Sequence, residues 1–147
     1  MFRNYMKIEF PSLSVNEELA RKVVADFAAQ LDPTLEELED IKTAVGEAVS
    51  NAILHAYPNN LGEVAIRCRI LRDDMLDVVI KDNGKGIENV NRAKMPMFTT
   101  TSDRSGMGFT IMESFMTSCE VKSEVGKGTT VHMKKRIVSR KGHIDGK

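Results

Sequence analysis

The chain has 147 residues, 21 basic and 21 acidic, so its formal net charge at pH 7 is zero. That length suits one domain with a sizeable core, and the neutral balance gives no electrostatic case for nucleic acid or an anionic membrane. No apolar run approaches the ~20 residues that span a bilayer, and the N-terminal residues lack the apolar stretch and cleavage site of a signal peptide. Cys68 and Cys119 lie in no CxxC or Cys/His pattern, so neither a zinc site nor a disulfide framework is expected. The composition therefore predicts a cytoplasmic protein without direct nucleic-acid or membrane contact.

Residues 5–11 alternate apolar and polar side chains and stop at Pro11, which predicts a strand. Residues 14–31 predict a helix with Asn16 as its N-cap, since Leu19, Val23, Phe27 and Leu31 recur every fourth position before Asp32 and Pro33 break it. Residues 34–57 carry the most strongly marked helix. Thr34 and Glu37 make a capping box, and Pro58, Asn59 and Asn60 end it. Strands follow over residues 63–71 and 75–82, with Asp73 and Asp74 at the tip of their hairpin. Between Gly84 and Gly108 the periodicity fades, and a long connection of that kind is usually functional or mobile. Residues 108–118 predict a helix, and residues 119–125 and 129–138 a closing hairpin around Gly126, Lys127 and Gly128. One domain is expected over residues 1–137, with residues 138–147 as a basic, frayed tail. The element order predicts an α/β two-layer sandwich: a mixed, mostly antiparallel sheet with helices on one face.

On the 34–57 helix, Ile41, Val45, Ala48, Val49, Ala52 and Ala56 share one side, while Glu47, Asn51 and His55 follow one another a turn apart on another. Taken alone this is a solvated polar face. Yet Asn is a poor helix former, its carbonyl oxygen suits Mg²⁺, and a Glu one turn away suits a base. Asp82, Asn83, Gly84, Lys85 and Gly86 read first as a turn. A carboxylate at a strand end can also accept the exocyclic amine of adenine, and glycines let the ring approach backbone. Gly106 and Gly108 stand immediately before a helix, where free N–H groups and the positive dipole end favour an anion. Ser105 is a natural cap there and Arg104 a charge within reach of a terminal phosphate. The spacing is not that of a P-loop, nor of a GxGxxG following a strand. Gly126 to Val131 alone reads as a hairpin turn.

The joint order is more specific than its parts. E-x-x-x-N on a helix, then D-x-G-x-G, then G-x-G entering a helix, then G-T resembles the motif series of the GHKL ATPase superfamily over residues 43–131. The chain is too short for a histidine kinase with its dimerisation helices, or for the second domain of the larger members. The runs MFTTTSDRSGMGFTIMESFM, IKTAVGEAVSNAILHAY and ARKVVADFAAQLDPT closely resemble the stand-alone anti-sigma serine kinases, in particular their sporulation, sigma-F branch.

The resemblance implies the GHKL sandwich with ATP and Mg²⁺ bound between the helix layer and a loop lid. It implies two activities: holding a sigma-F type RNA polymerase sigma factor, and phosphorylating a serine of a small anti-anti-sigma protein. A homodimer is implied as well. Residue by residue, Glu47 matches the catalytic base, Asn51 the Mg²⁺ ligand, Asp82 the adenine-reading carboxylate, and Gly84 and Gly86 the pocket floor. Gly106 and Gly108 match the phosphate-binding turn, Arg104 a lid arginine near the γ-phosphate, and Thr129 and Thr130 the G-T element. His55, Ile87, Thr99, Thr100, Ser105 and Met107 complete the nucleotide site, and Arg21 matches a partner-contacting arginine. The lid, residues 89–105, is the candidate switch, ordered by a γ-phosphate. The alternatives are a general-stress, sigma-B type kinase, a GHKL ATPase that phosphorylates no protein, and a binding module with a vestigial ATP site.

Overall fold

The computed structural model describes residues 2–57, 60–87 and 108–138. Five strands form one sheet: β1 (Phe2–Pro11), β2 (Glu63–Leu71), β3 (Met75–Asp82), β4 (Ser118–Glu124) and β5 (Gly128–Arg136), in the order β1-β2-β3-β5-β4. All four pairings are antiparallel. The period-2 pattern decides which face is dry. Val64, Ile66, Cys68 and Ile70 of β2, Leu76, Val78 and Ile80 of β3, and Val131 and Met133 of β5 are buried beneath the helices. The intervening residues, Arg67, Arg69, Val79, Lys81, Thr130 and His132 among them, occupy the other face.

Helices α1 (Asn16–Ala28), α2 (Leu35–Asn51) and α3 (Gly108–Phe115) cover the dry face. Ile41, Val45 and Val49 of α2 are fully buried and join Val24 of α1, Met112 of α3 and the inward strand residues in one cluster. Burying each such side chain contributes about 1.5–3 kcal/mol. A bond from the Ser50 hydroxyl to the Glu17 carboxylate ties α2 to the start of α1.

The capping box forms as the sequence predicts: Thr34 Oγ1 accepts the Glu37 amide at 3.1 Å, and Glu37 Oε1 accepts the Thr34 amide at 2.9 Å. Asp73 and Asp74 sit at the hairpin tip with φ of 65° and 57°, a conformation Asp tolerates better than most residues. Asn16, in contrast, is not an N-cap. It is the first helical residue; Val15 holds the cap position, and Asn16 Nδ2 donates to the Pro11 carbonyl at 3.0 Å. The side-chain amide is instead turned back to donate to the chain preceding the helix. β1 begins at Phe2 rather than at residue 5, because Phe2 pairs with Leu71 across an irregularity between Phe2 and Asn4. α3 ends at Phe115, short of residue 118, where the Thr117 amide donates to Lys134 O at 2.8 Å and the sheet takes over. The helix of residues 34–57 does not close regularly: after Asn51 it widens into a π-helical turn, Ala52–Ala56.

On the sheet's outer face Asp77 is fully buried and accepts Arg69 Nε at 3.0 Å, with His132 Nε2 against its other oxygen. Burial pushes its pKa up, but the hydrogen bonds and charges of His132 and Arg69 outweigh that and leave it below its ordinary value. Behind the sheet, burial and the nearby Asp77 charge push the Cys68 thiol up to about 12. Cys68 is thus an inert core residue.

Candidate nucleotide and phosphotransfer site

The site is built where the end of α2, the turn after β3, the start of α3 and the β4–β5 hairpin meet. Glu47 and Asn51 project from one face of α2, a turn apart, and both are half-buried. The first residue of α3 lies directly against them: a Cβ on Gly108 would stand 3.1 Å from Glu47 Oε2 and 3.4 Å from Asn51 Nδ2. The N-terminal end of α3, with its positive dipole, therefore faces the carboxylate and amide of α2. The Asn51 side chain makes no hydrogen bond among the described residues. A half-buried amide oxygen beside a carboxylate is a donor set that fits Mg²⁺.

Asp82 ends β3 on the helix side of the sheet and is 6% exposed. Its Oδ1 accepts the amide of Gly84 at 2.9 Å and that of Thr129 at 3.2 Å. Oδ2 is left without a hydrogen-bond partner among the described residues. Burial raises its pKa, and the two amides offset part of that rise. A desolvated carboxylate with one oxygen pinned and one unclaimed fits the exocyclic amine of adenine.

The glycines are cleared by neighbouring backbone. A Cβ on Gly84 would stand 2.3 Å from Ala56 O. Gly86 has φ of 78°, and a Cβ there would stand 2.3 Å from Glu124 O. The Ile87 amide donates to Ser123 Oγ at 2.7 Å, and that hydroxyl also meets Thr129 Oγ1 at 2.7 Å. Thr129 thus joins the site through its amide on Asp82 and its hydroxyl on Ser123. Thr130 does not join it: it lies on the outer face, in a groove with Arg67, Val79, Glu120, Lys122 and His132. His55 is half-buried within the π-helical turn. Arg21 lays its stem across α2, its Cδ 2.7 Å from where a Gly46 Cβ would be, one residue before Glu47. Its Nε is buried with no hydrogen-bond partner among the described residues. Thr99, Thr100, Arg104, Ser105, Gly106 and Met107 lie outside the described residues, as does the expected lid.

Residues 10–135 match the histidine kinase-like ATPase domain family. The anti-sigma F factor of Caldanaerobacter subterraneus subsp. tengcongensis is 54% identical over 138 residues, covering 92% of this chain and 96% of that protein. The anti-sigma F factor of a Geobacillus species is 51% identical over 141 residues, covering 95% and 97%. The chain belongs to the anti-sigma F factor family.

The fold likeness extends further than the sequence likeness. The RsbU and RsbW domains of a Mycobacterium tuberculosis protein superpose with a TM-score of 0.68 at 17% identity, covering 91% of this chain and 32% of that one. In this anti-sigma F family chain, one site residue reads in the sequence only as part of a turn and another escapes a sequence reading. Gly128 has φ of 118°, and a Cβ there would stand 2.1 Å from Asp82 O; the signal was its place in G-K-G-T. Ser123 bridges Ile87, Gly128 and Thr129, and nothing in its local sequence marks it. No helix among the described residues is long and apolar enough to cross a membrane.

Proposed function

We propose that the chain binds ATP with Mg²⁺ and transfers the γ-phosphoryl group to a serine of a small anti-anti-sigma protein. We also propose that it holds and inhibits a sigma-F type sigma factor. One observation carries the enzymatic reading: the Glu47–Asn51 face is in contact with the start of α3 at Gly108, while the Asp82 turn packs on the end of the same helix through Gly84 and Ala56. The proposed metal ligand and catalytic carboxylate thus share one helix, and the turn proposed to read the base packs against its end. The partners are supported by the names of the relatives.

Phosphoryl transfer needs positioning and charge neutralisation more than covalent help. When bound, Mg²⁺ would neutralise charge on the phosphates. Asn51 is the residue that would hold it. Glu47 is placed to orient or deprotonate the incoming serine hydroxyl, Asp82 to read adenine, and the start of α3 to face the phosphates. Arg21, packed over Gly46 beside Glu47, is the proposed partner contact. β1 is an edge strand of the sheet, and its unpaired side supports a homodimer formed by strand addition.

The test is label transfer from γ-labelled ATP to the anti-anti-sigma protein. Label on a serine of the partner, reduced about 10²–10⁴-fold in Glu47→Ala with nucleotide affinity retained, is the expected result. Label released as inorganic phosphate with an unlabelled partner points to an ATPase that phosphorylates no protein. Loss of nucleotide binding in Glu47→Ala would remove the role given to that residue.

A further inference from the structure

The turn that carries Asp82 is held by more than its own glycines. Three successive amides, Asn83, Gly84 and Lys85, each have a different acceptor. Asn83 N–H donates to Tyr57 Oη at 2.7 Å, Gly84 N–H to Asp82 Oδ1 at 2.9 Å, and Lys85 N–H to Ala56 O at 2.9 Å. Two of the three acceptors belong to consecutive residues at the end of the α2 assembly. The π-helical turn makes this possible: it closes at Ala56, and Tyr57 leaves the helix with φ of −129° and ψ of 66°. A widened turn frees a carbonyl and redirects the next side chain, and such turns frequently mark functional sites.

Tyr57 Oη also donates to Glu63 O at 2.8 Å. Glu63 begins β2, and its neighbour Val64 pairs with Asp82. One hydroxyl therefore ties the end of the catalytic helix to the first residue of β2 and to the turn after β3. A phenol can do this because its oxygen donates and accepts at once. The surroundings are shaped for the ring: a Cβ on Gly62 would stand 2.1 Å from Tyr57 Cε1. Gly62 is in turn fixed by Ser12, whose amide donates to Gly62 O at 2.9 Å and whose Oγ accepts the Gly62 amide at 3.0 Å.

We infer that Tyr57 is a positioning residue for nucleotide recognition, its hydroxyl holding the Asp82 turn so that Asp82 Oδ2 stands where an adenine amine donates. This rests on the reading of Asp82 as the base contact. The chemistry gives the role a signature. Adenine presents an amine donor at the edge Asp82 would read, and guanine presents a carbonyl there, so a correctly placed carboxylate favours adenine. Loosening the turn should weaken adenine nucleotides and leave guanine nucleotides, which gain nothing from Asp82, nearly as before.

The experiment titrates the full chain with N-methylanthraniloyl-ADP and N-methylanthraniloyl-GDP, for the wild type, Tyr57→Phe and Asn83→Ala. Tyr57→Phe keeps the ring over Gly62 and deletes both bonds of the hydroxyl. It is expected to lower ADP affinity about 5–30-fold, the effect of one or two lost hydrogen bonds, with GDP affinity unchanged and the unfolding midpoint within a few degrees. Asn83→Ala keeps the backbone amide and should match the wild type. Unchanged ADP affinity in Tyr57→Phe overturns the inference, as does an equal loss for ADP and GDP, which would mark a purely structural residue. A wild type that binds ADP no better than GDP overturns the adenine reading itself, and the inference with it.

Discussion

Gly108 and Glu47 touch across the α2–α3 boundary: a Cβ on the glycine would stand 3.1 Å from Glu47 Oε2. The contact joins the helix that carries the proposed base to the helix whose N-terminal end is proposed to face the phosphates. It also separates two effects of one substitution. Gly108→Ala adds a methyl that a flexible carboxylate end can avoid, and at the first position of α3 it gains only part of the about 0.5–1 kcal/mol that alanine gains over glycine within a helix. Unfolding measurements should show a stability close to that of the wild type, while phosphotransfer falls because the Glu47 carboxylate must shift by a few tenths of an ångström. A large loss of stability would show the site to be rigidly packed instead.

Asp82→Asn tests the buried carboxylate. Asparagine keeps a carbonyl oxygen for the Gly84 and Thr129 amides and removes a buried charge. Folding raises the pKa of Asp82. The folded state thus holds its proton more tightly than the unfolded chain, a contribution that favours the fold at acid pH and is lost as the pH rises through the folded value. In urea unfolding without nucleotide, the variant should gain on the wild type at neutral pH, and its advantage should shrink as the pH falls through the carboxylate range. Its ATP affinity should drop by up to about 3 kcal/mol.

Gly128→Ala should be severe. The position has φ of 118°, and the added Cβ would meet Asp82 O at 2.1 Å. Backbone on backbone has no rotamer to escape into. A loss of about 2–4 kcal/mol is expected in denaturant unfolding, with nucleotide affinity falling beyond what the unfolded fraction explains. Gly126 is the internal control: it has φ of 82° with open space around a Cβ, so Gly126→Ala should show the conformational strain alone.

Asp77→Asn acts on the opposite face. Its folded pKa is lowered, so the carboxylate contributes stability above the unfolded value, about 3.9, and that contribution is lost as the pH falls through the folded value. The variant should be about 1–3 kcal/mol less stable at neutral pH, and its acid unfolding should be shallower. Nucleotide affinity should not change, because Asp77 faces away from the site.

The sequence made legible what is local or periodic. Thr34 and Glu37 lie three residues apart and cap α2 as their types require. The strands of β2 and β3 follow their alternation, and Glu47, Asn51 and Asp82 stand out because their residue types suit neither a plain polar face nor a plain turn. The π-helical turn left no trace in the apolar periodicity, since it redirects one residue rather than breaking the pattern. Tyr57 read as the last residue of a helix; its partners Glu63 and Asn83 are brought to it only by the sheet. Thr130 fell outside the site for a simpler reason: a strand sends adjacent residues to opposite faces, so Thr129 and Thr130 cannot both line one pocket.

That same alternation constrains β3 as a measuring device. Asp82 and Asp77 are both buried carboxylates on one strand, an odd number of residues apart, and so they point to opposite sides of the sheet. Inserting or deleting one residue between them would send one of the two to the wrong side, leaving either the helix layer or the Arg69–His132 pair with a mismatched neighbour. The strand's length between these aspartates is therefore locked by parity. Length variation in this hairpin belongs at its Asp73–Asp74 tip, where an added residue changes neither aspartate's side.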